Sequence, residues 1–111
     1  MMEPYTVKIT RQARQQIREM AQYIERAFQA PNSALRLIDL LEEKILSLSA
    51  FPARAPLVDE EPWHGLGIRK LLVKQYLIYF WINENARQVQ IVAITHSMQD
   101  QSRQLLKMDL E

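Results

Sequence analysis

The 111-residue chain lacks cysteine altogether and contains only two glycines and two histidines. Without cysteine there can be no disulfide framework and no thiolate zinc site, and no other metal or cofactor motif stands out. The sequence also lacks an apolar run near the ~20 residues that a membrane helix needs. Its N-terminus lacks the basic start and apolar core of a secretory signal. We therefore expect a cytoplasmic protein without a metal, a cofactor or a membrane partner.

A strong excess of one charge is missing as well, because 14 Lys and Arg residues against 13 Asp and Glu residues give a net charge of +1. Binding to nucleic acid through phosphate needs several cationic contacts, so a general nucleic-acid coat is excluded. The charges are nevertheless unevenly placed. Between residues 63 and 83 the charged side chains are Arg69, Lys70 and Lys74, all of them positive. This segment predicts a local basic surface.

The length of the chain predicts one domain, residues 1–111. The first half of this domain has helical periodicity. Residues 5–9 alternate as a short strand does, and the hydroxyl of Thr10 can then cap a helix that ends near Gln29. The apolar stripe of this helix recurs at steps of three and four residues: Ala13, Ile17, Met20, Ala21, Ile24, Ala27 and Phe28. Three arginines lie off the stripe and predict an exposed basic ridge: Arg11, Arg14 and Arg18.

A second helix follows after a short break. Proline disfavours helical geometry in the residue before it, so the chain breaks at Ala30 and restarts with Asn32 or Ser33 as the cap. The apolar stripe of this helix consists of Ala34, Leu37, Ile38, Leu41, Ile45 and Leu48. Three further leucines widen the stripe: Leu35, Leu40 and Leu46. Because the break is short, the two helices are expected to form an antiparallel hairpin.

Residues 52–66 have no period and contain three prolines and three acidic residues. A connection of this length without secondary structure is unusual in a compact domain and is often functional. We expect this segment to be the mobile part of the molecule, with His64 exposed on it.

Beyond the loop the periodicity changes from helical to alternating. Three β-rich segments are expected, at residues 67–74, 76–83 and 87–95, joined by tight turns in which asparagines supply left-handed backbone. The middle segment is apolar on both alternating faces and is therefore expected to be a central strand. With a short helix within residues 101–111, the order predicts an α+β fold: an N-terminal strand, a helical hairpin, and a three-stranded antiparallel meander that completes a four-stranded sheet.

Four motifs occur in order along nearly the whole chain. They are YTVKITRQA at residues 5–13 before a helix with Gln-Tyr-Ile at residues 22–24, the helix end LSAFP at residues 48–52, GIRKLLVKQYLIYFWI at residues 67–82, and His96 with Asp100. Together they resemble the RelE/ParE superfamily of bacterial toxins from type II toxin–antitoxin modules. The resemblance implies a four-stranded sheet packed by a helical hairpin. It also implies neutralisation by a small antitoxin. The chain is expected to assemble as a homodimer or as a toxin–antitoxin hetero-oligomer.

The superfamily has two functional branches, which differ in their target. RelE-like members cut messenger RNA in the ribosomal decoding site, whereas ParE-like members poison DNA gyrase. The resemblance therefore leaves two target partners open: DNA gyrase, or the ribosome with mRNA. A third alternative is an inactive interaction module that keeps the fold.

An RNA-cleaving site needs a base, an acid and cations that stabilise the charge gathering on phosphorus. His96 titrates in the range suited to a base or an acid, and Arg69 and Lys70 can supply cations, so these three are the catalytic candidates of a nuclease. Either Tyr76 or Tyr79 is a candidate hydrogen-bond donor. The alternative for His96 is a structural role at a strand end. The alternative for the cations is a solvated sheet edge that discourages aggregation.

Three positions depart from the nuclease pattern. The resemblance to RelE-like nucleases calls for an arginine after the aromatic that opens the central strand and for basic residues before the tail aspartate, where this chain has Leu77, Met98 and Gln99. These departures favour a ParE-like, non-enzymatic toxin. Under that hypothesis the residues expected to bind the target or the antitoxin are Arg69, Lys70, Lys74, Tyr76, His96, Arg11, Arg14 and Arg18.

Overall fold

The computed structural model describes residues 4–96, without the side chain of Phe28. Its elements in chain order are β1 Thr6–Ile9, α1 Arg11–Phe28, α2 Pro31–Leu46, two 3-10 turns Ser47–Ser49 and Pro52–Arg54, β2 Arg69–Val73, β3 Tyr76–Asn83 and β4 Gln88–His96. Neither of these two α-helices is long and apolar enough to cross a membrane. The predicted C-terminal helix lies outside the described residues, as do Met98, Gln99 and Asp100.

The four strands form one mixed sheet in the order β1-β4-β3-β2. β3 runs antiparallel to both β2 and β4, which confirms the predicted meander and the central position of its middle strand. β1 lies parallel to β4, from Thr6 opposite Gln88 to Ile9 opposite Ile91. A parallel pair needs a long connection, and here the helical hairpin together with β2 and β3 provides it.

The first helix, α1, begins as predicted. The Oγ1 atom of Thr10 accepts a hydrogen bond from the backbone N–H of Ala13 at 3.3 Å. This bond satisfies one of the first-turn amides that have no partner within the helix. The helix ends at Phe28, and Gln29 follows in the left-handed conformation, at φ 48°, which stops the helix.

The second helix, α2, differs from the prediction at its start and on its surface. It begins at Pro31 with Ala30 as the N-cap and with no side-chain cap bond, so the predicted caps Asn32 and Ser33 are wrong. Proline at the first position fixes a helical φ and has no N–H to satisfy. Two of the leucines expected to widen the stripe are also exposed, at 60% for Leu35 and 62% for Leu46.

The helix side of the sheet holds the larger core. Inward residues of α1 and α2 pack there against β3 and β4: Ala13, Leu37, Leu41, Ile45, Ile78, Phe80, Val89, Ile91 and Ile94. Burial of apolar surface is the main term that favours folding. The apolar stripes of the two helices are thus the surfaces through which the hairpin packs on the sheet.

The opposite side of the sheet is covered by the loop. A second buried cluster joins the loop to β3 and β4: Val58, Trp63, Ile68, Leu77, Tyr79, Val92 and Ala93. The loop backbone is also bonded, since the N–H of Val58 donates to the carbonyl oxygen of Ile68 at 2.8 Å. The segment is a packed cover of the sheet, so the structure does not support the prediction of a mobile segment there.

Left-handed backbone in the strand turns falls on basic residues and not on the predicted asparagines. Lys74 has φ 55° in the β2–β3 turn, and Arg87 has φ 47° before β4. Asn83 acts through its side chain instead, because its Oδ1 atom accepts a hydrogen bond from the N–H of Ala86 at 3.2 Å. The side-chain bond gives the asparagine a turn-forming role that does not need a positive φ.

Candidate binding surfaces at the two ends of the sheet

Three predicted site residues lie where β3 begins and β4 ends. Tyr76 lies opposite His96 in the β3–β4 pair and opposite Val73 in the β2–β3 pair. The rings of Tyr76 and His96 meet edge-on, with centroids 5.4 Å apart and an angle of 84° between their planes. Lys74 is exposed in the adjoining turn. The structure therefore brings Tyr76 and His96 together, with Lys74 in the turn that precedes β3.

A β-bulge decides which face of the sheet His96 takes. The pairing register between β3 and β4 shifts by one residue in the middle of β4. Two consecutive residues, Val92 and Ala93, join the loop-side cluster, whereas Ile94 returns to the helix-side core. The extra residue of a bulge inverts the alternation that follows it. Without this bulge His96 would face the loop side, away from the ring of Tyr76.

Burial gives Tyr76 and His96 different roles. Tyr76 is 7% exposed and belongs to the helix-side core, so its ring is a structural support. His96 is half-buried and packs against that support. This placement agrees with the structural alternative for His96, a side chain that orders the end of β4.

Arg69 lies toward the other end of the sheet. It pairs with Phe80, four residues along β3 from Tyr76, which is ~13 Å at the rise of a strand. Its Nη1 atom donates hydrogen bonds to the carbonyl oxygens of Ala53 at 3.3 Å and Ala55 at 2.7 Å. The Arg69 guanidinium thus braces the start of the loop.

Lys70 lies on the opposite face of the sheet from Arg69. It pairs with Tyr79, which belongs to the loop-side cluster. The catalytic set predicted for a nuclease, His96 with Arg69 and Lys70, therefore does not converge. Its members are spread over two regions and both faces of the sheet because side chains alternate along a strand.

The arginine ridge of α1 is exposed as predicted, and two of its members make surface hydrogen bonds. The Nε atom of Arg14 donates to the carbonyl oxygen of Ile9 at 3.3 Å, and Arg18 donates through Nη1 to Oε1 of Gln15 at 3.1 Å. Such contacts orient a side chain without removing its charge from solvent. With Arg11 these two residues form a cationic row on a rigid helix.

Gln16 is a structurally important residue that the sequence did not single out. β1 ends opposite Ile91, so among the strands of residues 4–96 the outer edge of the rest of β4 has no neighbour. The Oε1 atom of Gln16 accepts a hydrogen bond from the backbone N–H of Ile94 at 2.8 Å. This bond fixes α1 to β4 two residues before His96. In the sequence, Gln16 stands out only weakly, as a polar residue next to the apolar stripe of the first helix.

The loop side contains a buried tyrosine and an exposed histidine. Tyr79 is fully buried, and burial raises the pKa of Tyr79, a shift that the nearby carboxylate of Glu60 increases. His64 is exposed as predicted, with Nδ1 2.9 Å from the carbonyl oxygen of Val58. Because a carbonyl only accepts, Nδ1 donates in that bond. Within residues 4–96, no three His, Asp or Glu side chains group as a metal site.

Comparison with known proteins assigns this arrangement to a family. The profile of the ParE toxin of the parDE type II toxin–antitoxin system matches residues 7–101. The chain belongs to the ParE toxin family. The matched residues run from β1 past the end of β4 and include every predicted site residue.

Two solved structures share the fold of this ParE-family chain. One is the chromosomal ParDE system from P. aeruginosa, with a TM-score of 0.68 and 19% identity over 83% of this chain and 95% of that chain. The other is the RelBE2 toxin–antitoxin complex from Mycobacterium tuberculosis, with a TM-score of 0.60 and 21% identity over 86% and 94%. No curated protein sequence matches the chain significantly.

Proposed function

We propose that this ParE-family chain is a growth-inhibiting toxin that binds DNA gyrase in the cytoplasm and is neutralised by a cognate antitoxin. The observation that carries the proposal is the ParE family match over residues 7–101. The mechanism is non-enzymatic, since the toxin holds gyrase in a complex and breaks no bond itself.

The positions of the cations favour binding over RNA cleavage. Groups that stabilise a cleavage transition state must lie within hydrogen-bond reach of one phosphate. Arg69 is ~13 Å along the sheet from Tyr76, and its guanidinium already donates to two loop carbonyls. At the position after Tyr76, Leu77 is buried in the loop-side cluster, where an ionised arginine would be costly.

The arginine ridge of α1 is the surface proposed for the target. Its three charges stand in a row on one rigid helix, and charge complementarity accelerates association and selects the partner. The triple variant Arg11→Gln, Arg14→Gln, Arg18→Gln should weaken inhibition of gyrase about tenfold or more. The matched control removes three exposed cations elsewhere, in Lys8→Gln, Arg36→Gln, Lys44→Gln, and should inhibit as the wild type does.

The test is a supercoiling assay with purified gyrase, relaxed plasmid and increasing amounts of toxin. Inhibition together with accumulation of cleaved DNA–gyrase complexes is the expected result. Full gyrase activity at a large excess of folded toxin would overturn the proposal. Equal inhibition by both triple variants would reject the arginine ridge while leaving gyrase as the target.

Ribosome-dependent mRNA cleavage is the second candidate function, and the contact of Tyr76 with His96 beside Lys74 is the observation that favours it. It predicts codon-phased cuts in mRNA when the protein is added to a translation extract. His96→Ala should abolish these cuts, and uncut mRNA at saturating protein would exclude this function. If the protein affects neither gyrase nor translation and does not slow growth, it is an interaction module with the toxin fold.

A cognate antitoxin is proposed as a partner on the basis of the two solved structures that share the fold. The ParDE system and the RelBE2 complex are both toxin–antitoxin assemblies, and the basic residues Lys70 and Lys74 offer a surface for an acidic partner. Coexpression of a small protein encoded beside the toxin should restore growth. Mass measurement of the purified material should then give a hetero-oligomer, whereas the toxin alone reports whether a homodimer forms.

A further inference from the structure

Among residues 4–96, nothing pairs with the outer edge of β2 over its second half. The N–H of Lys70 points outward from the sheet, since it donates to the carbonyl oxygen of Pro56 at 3.0 Å. Outward groups recur at every second residue of a strand, so the N–H and C=O of Leu72 point the same way. Within residues 4–96, these two groups have no hydrogen-bond partner.

A proline determines where the edge opens. The loop pairs with the start of β2 through the bridge between Leu57 and Arg69, flanked by the bonds from Val58 to Ile68 and from Lys70 to Pro56. The next bond of that ladder would run from the N–H of residue 56 to the carbonyl of Lys70. Proline has no N–H, so this ladder stops, and the carbonyl of Lys70 accepts no hydrogen bond from the described residues.

The side chains beside the open edge combine one apolar residue with two cations. Leu72 is 63% exposed and shares the loop-side face with Lys70, two residues before it. Lys74 follows in the exposed turn. A neighbouring strand would therefore meet a positive, an apolar and a positive side chain in succession.

We propose that this edge binds an acidic extended peptide segment, which adds a fifth strand to the sheet. An apolar side chain of the segment packs on Leu72, and carboxylates two residues to either side pair with Lys70 and Lys74. The open groups of Lys70 and Leu72 supply the backbone bonds, as in other cases of strand addition. The inference rests on the proposed function in one respect, that the antitoxin is the partner expected to carry the segment.

The same charges argue against a second copy of the chain as the occupant. Two β2 strands related by a two-fold axis through Leu72 would place Lys70 of one copy opposite Lys74 of the other. Like charges directly opposite each other destabilise a strand pair. Lysines on an edge strand are in fact a common protection against self-association, and they leave an acidic segment as the complementary partner.

The test uses the full-length isotope-labelled protein and the blocked heptapeptide Ser-Glu-Thr-Val-Thr-Glu-Ser. Saturable NMR shifts centred on residues 70–74 are expected, together with exchange of the Leu72 amide hydrogen that is slower by at least about tenfold at saturation. The same peptide with lysine in place of glutamate should bind about tenfold more weakly. Added salt should reduce this difference, because exposed pairs are screened.

A charge-swapped variant separates charge pairing from nonspecific attraction. Lys70→Glu with Lys74→Glu should reverse the preference, so that the lysine peptide binds more tightly. The matched control, Lys8→Glu with Lys44→Glu, makes the same change of net charge at two exposed lysines elsewhere and should keep the preference of the wild type.

Shifts centred on α1, an unchanged exchange rate at Leu72, or equal binding of the two peptides would each overturn the proposal. So would concentration-dependent dimerisation through β2, which would identify a second copy as the occupant. None of these readouts involves gyrase or growth, so failure of the proposed toxin activity is recognised separately from failure of strand addition.

Discussion

The two faces of the sheet are buried by different kinds of structure. Two amphipathic helices with regular apolar stripes cover one face. An aperiodic segment that contains Val58 and Trp63 covers the other. Periodicity in a sequence therefore reveals a helical cover but gives no warning of one made from an irregular segment. A middle strand that is apolar on both sides is the sign that a second cover must exist.

The largest expected effect tests the helix-covered face. Phe80 is completely buried there, and Phe80→Ala should lower the free energy of unfolding by about 4 kcal/mol, from lost burial and from the cavity left behind. Urea unfolding measures the loss. Leu72→Ala, at a position that is 63% exposed, is the control and should change stability by less than about 0.5 kcal/mol.

The next effect tests the loop-covered face. Trp63 is 8% exposed over Tyr79 and its neighbours, and Trp63→Ala should cost about 3 kcal/mol. We expect a smaller loss than for Phe80→Ala because an irregular segment can collapse onto the gap more easily than two helices can. If the loss equals or exceeds that of Phe80→Ala under the same urea conditions, the loop is at least as rigid a cover as the two helices.

A smaller effect is expected when the cation that begins β2 is compared with the cation in the turn that follows it. Arg69→Met removes the donor to the carbonyls of Ala53 and Ala55 and should cost about 1–2 kcal/mol, since the half-buried site stays partly hydrated. Lys74→Met should stay within about 0.5 kcal/mol of the wild type. Thermal or urea unfolding of both variants decides whether Arg69 stabilises the fold while Lys74 does not. Equal losses would contradict this division.

The smallest effect concerns the hydroxyl of Tyr79 under the loop. Tyr79→Phe should change stability by less than about 1 kcal/mol at neutral pH. Because burial raises the folded-state pKa of Tyr79 above the ordinary tyrosine value of 10.0, the native state keeps a proton that the unfolded chain loses at high pH. The stability of the wild type should therefore fall more steeply above pH 10 than that of Tyr79→Phe. Parallel unfolding curves between pH 9 and pH 11 would contradict the shift.

The fold was largely predictable because its signals are local. The cap at Thr10 and the helix end near Gln29 depend on neighbouring residues, and both agree with the structure. The central position of β3 follows from apolar residues on both of its faces. Local signals failed at the start of α2, where the sequence offers two possible helix starts. The helix begins with Pro31 at its first position, and Ser33 does not act as the cap.

The members of the candidate site are predictions from residue type and position, whereas their grouping came from the structure. Lys74, Tyr76 and His96 could be named from residue type and position, and the structure brings Tyr76 and His96 into contact, with Lys74 in the turn that precedes β3. Arg69 was named for the same reason but braces the loop instead. A carbonyl that needs a donor in the folded protein cannot be seen in a sequence, because it is created by the path of the backbone.

By itself the sequence determined the two helices, the order of the strands along the chain and the family resemblance, since these depend on short-range patterns. The tertiary structure decided how the site is divided. The bulge in β4 turned His96 toward Tyr76, Gln16 tied α1 to β4, and Pro56 ended the pairing of the loop with β2. Each of these features depends on contacts between residues that are far apart in the chain. Such contacts form only when the strands pair and the loop and helices pack on the sheet, so the sequence pattern does not show them.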